Sequence, residues 1–272
     1  MSFLSPIACP RLVGTWTVQS VTLMLARDEV KWMLPEGLEL GSAKATEPGK
    51  HPVILYFGSM FGARLSVGPF PPTTNYLEHV VGVPYVFYKR GRGKRCGYRG
   101  PFYYMPQLFL DDLLFTVVGV LVWGFNKARA NFMRETQRSM EASDHSYTVS
   151  SRQSNQKLVE LNWHADGPKA RVENNKAFEL QRQIMNHPVI SRQPLAIGPF
   201  FSCSNYDKTW SEAEVRPIQT QTSIHCLYVP GLAPADYNGA GITEANPFGS
   251  FELQTRWSLT FPYECGCARN TE

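Results

Sequence analysis

The sequence lacks an apolar run long enough to cross a bilayer as a helix. Its main uncharged apolar stretch, Leu113–Phe125, is shorter than the ~20 residues a spanning helix needs and lies between Asp112 and Lys127. It lacks a basic region followed by a long apolar stretch near Met1, so no signal peptide is read there. It has little excess charge of either sign: 27 Lys and Arg against 23 Asp and Glu leave +4, too weak to argue for nucleic acid. It lacks metal-ligand spacing. The six cysteines (Cys9, Cys96, Cys203, Cys226, Cys265, Cys267) are scattered, and only Cys265 and Cys267 lie close, without a second pair for a zinc site. They read as free thiols rather than as metal ligands or disulfides. There is no internal repeat, low-complexity segment or linker. These absences predict one cytoplasmic domain spanning residues 1–272, with no metal, no cofactor, no nucleic-acid partner and no membrane association.

What the chain does hold is turn chemistry. Its 21 glycines and 20 prolines favour β structure over a helical bundle. Trp16–Leu25, Pro52–Tyr56, Tyr76–Tyr88 and Pro101–Asp111 read as strands, as do Ser146–Ser150, Lys157–Trp163, Ile197–Ser202, Val215–Thr222, Ile224–Val229 and Ser250–Phe261. Glu29–Leu34, capped by Asp28, and Phe178–Met185 read as short helices. Met60–Thr74 and Gly231–Gly249 read as irregular chain. Leu113–Val122 stays open between strand, by composition, and helix, by its position after two aspartates. The fold class is mainly β, within α+β, on a large antiparallel system.

Few ionisable groups stand out against this background. Lys127 closes the apolar run, so its amine either reaches water or sits in a dry pocket, where it loses its proton and becomes nucleophilic. Glu78 and His79 are the strongly polar members of an apolar strand. They point to opposite faces, and His79 reads as structural. Lys89–Arg99 carries six basic residues between glycines. It reads as a solvated hairpin loop, with binding of an anionic substrate tail as the sharper alternative.

Two stretches resemble one family. L-D-D-x8-G-x3-W-G-F-N-K, from Leu110 to Lys127, is similar to the acetoacetate decarboxylase signature: Leu-Asp-Asp/Asn, eight residues, Gly-Arg-Glu-Leu, then Trp-Gly-Phe-Pro-Lys-Lys. Y-L-E-H-V-V-G-V-P-Y, from Tyr76, resembles the family's Tyr-Thr-Glu-Ser-Gly-x-x-Ile-Pro-Val, with Glu78 and Pro84 in register. Weaker agreement comes from Leu34–Leu40, Pro52–Tyr56 and His187–Arg192. The resemblance implies a cone-shaped β-barrel with surrounding antiparallel sheet and a few short helices, a homo-oligomer, and a Schiff base on Lys127. Acetoacetate decarboxylase is also a standard example of a lysine activated by a neighbouring cation.

The departures from that pattern shape the expected chemistry. The family's second lysine is Ala128 here, its Arg-Glu pair is Val120-Leu121, and its proline before the lysine is Asn126. Tyr56-Phe57-Gly58 stand where it carries a carboxylate. Burial alone, with Arg129 as a source of repulsion, is expected to activate Lys127. Lys127 and Glu78 are the expected catalytic pair, and Phe125 and Tyr76 the expected substrate-binding walls. The predicted reaction is decarboxylation of a β-keto acid, bulkier than acetoacetate because of Val120-Leu121. The alternatives are aldolase or dehydratase chemistry on a keto compound, or a barrel that binds an apolar small molecule without catalysis.

Overall fold

The computed structural model describes residues 10–43, 45–66, 73–89, 98–138, 143–192 and 201–265. Most of the basic loop, Cys9, Cys96, Cys267 and the start of the Ile197–Ser202 segment lie outside them. In chain order the elements are β1 (Arg11–Ala26), α1 (Arg27–Lys31), β2 (Leu38–Leu40), β3 (Lys50–Leu65), β4 (Thr74–Tyr88), β5 (Phe102–Leu110), α2 (Leu113–Trp123), β6 (Lys127–Arg138), β7 (Ser143–Ser151) and β8 (Lys157–Ala165). They continue with β9 (Ala170–Arg171), α3 (Glu179–Met185), β10 (Val189–Arg192), β11 (Phe201–Ser204), β12 (Tyr206–Lys208), β13 (Glu214–Ile224), β14 (Ala235–Gly239), β15 (Phe251–Thr260) and β16 (Tyr263–Glu264).

The strands follow a path that closes on itself. β5 is bonded to β6, then the order runs β7, β8, β13, β15, β1, β3 and β4, and β4 pairs back to β5. This ring is the expected barrel. The sheet outside it runs from β5 through β10 and β11 to β16, and β2 adds to β4. The sheet is mixed rather than purely antiparallel, because β5–β6 and β10–β5 pair in parallel. Two parallel neighbours joined directly in sequence need a crossover, and α2 supplies it. The open reading of Leu113–Val122 thus resolves as a helix.

Alternation sorts the long strands into two apolar clusters. Ile54, Tyr56 and Met60 on β3, with Tyr76 and Val80 on β4, belong to one, together with Trp16, Leu108, Phe115, Phe125 and Trp257. Val53, Leu55 and Phe57, with Val81 and Val83, belong to the other. The candidate site lies in the first.

Several local expectations are corrected. α1 starts at Arg27, before the expected Asp28 cap, and the Glu29 carboxylate instead accepts from the Ala26 backbone N–H at 3.1 Å. β3 runs on to Leu65 through a bulge between Met60 and Ala63, where irregular chain was expected. β13 ends at Ile224, so Ile224–Val229 is not a strand, and β14 pairs with β13 inside the supposed Gly231–Gly249 loop. Cys203 and Cys265 form a disulfide rather than remaining free thiols, joining β11 to the chain beyond β16 across 62 positions. Nothing in the cysteine spacing signalled it, because the pairing depends on β11 lying beside β16. Cys226 is free, as expected. Among the described residues no helix is long and apolar enough to cross a membrane, and no group of three or more His, Cys, Asp or Glu side chains is placed to hold a metal.

Candidate active site

The signature from Leu110 to Lys127 is the crossover itself, and each of its polar or small residues has a local task. Leu110 is fully buried at the end of β5. The Asp111 carboxylate accepts from the Leu77 N–H at 2.9 Å, tying this corner to β4 one residue before Glu78. Asp112 caps α2, its carboxylate accepting from the Phe115 N–H at 2.7 Å. Gly124 ends the helix with φ 68°, a left-handed conformation that glycine adopts without Cβ strain. Trp123 donates its indole N–H to the Thr260 carbonyl at 2.9 Å, anchoring the helix end to β15. Asn126, in place of the family's proline, donates to the Pro106 carbonyl at 2.6 Å and aligns the start of β6.

Lys127 opens β6 opposite Leu108 of β5, and Leu108 in turn faces Val80 of β4. Glu78 lies two residues before Val80, on the same face, so the register brings Lys127 and Glu78 into one cavity across β5. The Lys127 ammonium donates to the Phe115 carbonyl at 3.2 Å and lies 5.7 Å from the Phe125 ring centroid. Gly119 makes room for it: a Cβ there would sit 2.4 Å from Lys127 Cε and Nζ. The glycine at this spacing is therefore clearance for the lysine.

Burial governs both charges. It pushes the Lys127 amine below the ordinary lysine range, and the Glu78 and Asp112 carboxylates oppose that shift. It pushes the Glu78 carboxyl above the ordinary range, against the pull of Lys127 and the Trp16 indole. A low-pKa amine beside a high-pKa carboxyl is the pairing that lets one attack and the other carry protons near neutral pH. The expected help from Arg129 is absent. Its guanidinium donates to the Asp111 carbonyl at 3.1 Å, and the side chain does not line the cavity. Ala128 faces the other cluster, so the missing second lysine would have pointed away from the site.

The cavity measures about 80 Å³ and is walled by Tyr56, Met60, Tyr76, Val80, Leu108 and Phe125, among others. All four expected residues, Lys127, Glu78, Phe125 and Tyr76, line it. Tyr76 is buried against Phe115, with ring centroids 5.0 Å apart. Val120 and Leu121 do not line it, and Leu121 is 51% exposed on the outer side of α2. Val120 and Leu121 therefore do not shape the substrate space, and the bulkier substrate expected from them has no support in the cavity wall. The volume also falls far below the ~300–1,000 Å³ of pockets for drug-sized ligands. The carboxylate that the resemblance places near Tyr56-Phe57-Gly58 has no room, since a Cβ on Gly58 would meet Trp16 Nε1 at 2.5 Å and Glu78 Oε1 at 3.2 Å.

His79 faces away from Glu78, with its ring nitrogens 3.1 Å from the Tyr56 carbonyl and 3.0 Å from the Tyr228 hydroxyl. Burial lowers its pKa to about 3 and keeps it neutral. The sequence reading missed Trp16, Tyr103, His187, Lys208 and Trp257, which also line the cavity. They come from strands and loops far apart in the chain, and only His187 lies in a stretch with a sequence signal, the weak family agreement at His187–Arg192.

No family model matches the sequence, and no curated protein matches it. Solved structures do. Enduracididine biosynthesis enzyme MppR, complexed with pyruvate, superimposes with a TM-score of 0.60 at 13% identity, covering 95% of this chain and 91% of that one. The acetoacetate decarboxylase of Legionella pneumophila subsp. pneumophila str. Philadelphia 1 gives 0.57 at 13% identity, over 96% and 92%. An acetoacetate decarboxylase-like enzyme from Sphingomonas wittichii RW1 gives 0.53 at 12% identity, over 97% and 98%.

Proposed function

We propose that this chain, which has the acetoacetate decarboxylase-like fold, is an enzyme that forms a Schiff base between Lys127 and a compact keto acid. The observation that carries this reading is the Lys127 amine in an apolar cavity with Glu78 as the lining carboxylate. Neutral Lys127 attacks the ketone carbon, and loss of water gives a protonated imine. In a β-keto acid the bond to the carboxylate then breaks. Its electron pair moves to the imine nitrogen, carbon dioxide departs and an enamine remains. Protonation of the enamine carbon and hydrolysis release the ketone and restore Lys127. Glu78 is the proton carrier for imine formation and enamine protonation. Phe125 and Tyr76 hold the substrate against the lysine and keep the site dry.

A second branch starts from the same imine. Loss of a proton gives an enamine that adds to an aldehyde, or a β-hydroxyl leaves as water. The MppR structures contain pyruvate and the condensation product of pyruvate with an imidazole aldehyde, which favours keeping this branch. In both cases the partner is a small keto acid or ketone, and we expect a homo-oligomer.

Sodium borohydride reduction with acetoacetate and with pyruvate tests the reading by intact mass. Wild type is expected to gain one substrate-sized adduct, and Lys127→Ala none while its circular dichroism stays native. Carbon dioxide release then separates the branches. A folded wild type that gives no adduct with any keto compound turns the reading toward a ligand-binding barrel.

A further inference from the structure

The cavity holds a second lysine. Lys208, at the end of β12, lines it with Lys127 and Glu78, although the two lysines come from opposite halves of the chain. Its ammonium donates to the Met185 carbonyl and lies 4.8 Å from the Tyr206 ring centroid and 6.0 Å from that of Trp210. Asp207, next to it on the strand, is committed to Arg11 at 2.7 Å. Among the described residues no carboxylate forms an ion pair with Lys208. Burial lowers its pKa to about 7, with Asp207 opposing. A cation enclosed by aromatic rings and one carbonyl is short of the negative partner that would offset its desolvation.

Other polar atoms around the same cavity are also short of partners. Trp257 Nε1 and His187 Nδ1 are buried without a protein hydrogen bond, and both side chains line the cavity. Buried polar atoms are nearly always paired, so two orphans on one cavity mark where a ligand's polar atoms go. Trp257 Nε1 can only donate, and the Lys208 ammonium on the same cavity has no ion-pair partner among the described residues, so an anionic ligand group would serve both.

We propose that Lys208 is a substrate-binding residue that pairs with the carboxylate of a compact keto acid and makes the site select keto acids over neutral ketones. The imine half of this proposal rests on the reading of Lys127 given above; the anion half does not. Lys127 and Lys208 both line this cavity of about 80 Å³, which accommodates a molecule of a few heavy atoms. The ion pair has a chemical consequence. It stabilises the bound carboxylate, which raises the barrier to losing it as carbon dioxide. Anchoring at Lys208 therefore favours the branch in which the carboxylate is kept, with bonds made or broken elsewhere on the keto acid.

The test compares wild type with Lys208→Gln in two assays. Calorimetric binding of propionate, a carboxylate without a ketone, reports the anion site alone. Borohydride trapping of pyruvate against butanone reports whether the carboxylate helps deliver the ketone to Lys127. The proposal expects propionate affinity, and the ratio of pyruvate to butanone trapping, to fall at least about tenfold in Lys208→Gln, as loss of a charge-assisted contact implies. A merely structural lysine would lower trapping of both ketones together and leave the ratio intact. Equal propionate affinity and an equal ratio in the two proteins would overturn the proposal while leaving Lys127 chemistry standing. If wild type traps no ketone, the Lys127 reading fails, and propionate binding alone decides Lys208.

Discussion

Lys127 shows what one residue inherits from its neighbours. The strand step puts it on the face of Glu78, and the αL turn at Gly124 with the Asn126 tether sets where the strand begins. Gly119 decides where the amine ends up. Alanine at 119 would place a methyl 2.4 Å from Lys127 Nζ, and the mobile lysine tail yields before the backbone does. We expect Gly119→Ala to fold with a loss of about 1 kcal/mol or slightly more. Borohydride trapping should slow about 10²-fold, because the displaced amine no longer approaches the carbonyl correctly. A variant that traps at the wild-type rate would show that the amine does not need its position beside Phe115. The family-motif spacing made Lys127 and Glu78 legible in the sequence, whereas their shared face follows from the β4–β5–β6 register, which the sequence does not show. Lys208 was not legible: Tyr206-Asp207-Lys208 looks like an ordinary surface strand until β12 is seen to pair with β15.

The crossover between β5 and β6 is where local sequence and fold disagreed longest. Leu113–Trp123 is apolar throughout, so periodicity could not separate helix from strand. The inner face carries Phe115, Thr116, Gly119 and Trp123, while Leu113, Val117 and Leu121 stay exposed at helical spacing. What decides the helix is its ends, the Asp112 cap and the left-handed Gly124, and behind them the need to join two parallel strands. Gly124→Ala should cost about 1–2 kcal/mol, the penalty of a Cβ in the left-handed region, read as a lower urea midpoint with an unchanged slope. Because the same turn sets the start of β6, the variant should also lose trapping activity beyond what its stability loss explains. An unchanged midpoint would mean that the chain can leave α2 by another turn.

Across the whole molecule, the barrel was expected only from the family resemblance, while most strands were legible, since long alternating runs and turn residues leave little freedom. The closure of β4 on β5 and the Cys203–Cys265 bridge were not, because both depend on which distant strands become neighbours. The barrel in turn sets the energetic cost of its site. Lys127 has its pKa lowered by burial, so the unfolded chain binds more protons than the native one between that lowered value and the ordinary ~10.4. Stability contributed by this group therefore rises with pH through that window and is at its lowest below it. Glu78, raised by burial, is neutral at pH values below its own shifted value, so there it offers Lys127 no counter-charge. Lys127→Met keeps the volume and flexibility of the side chain without the charge. At pH 6 it should be about 1–2 kcal/mol more stable than wild type, the usual gain when a strained functional group is replaced, and the advantage should vanish by about pH 10.4. Urea titrations of the two proteins at pH 6 and pH 10 decide this. A wild type that is the more stable at pH 6 would mean that the fold welcomes the charged lysine, and the amine would then not be poised for attack.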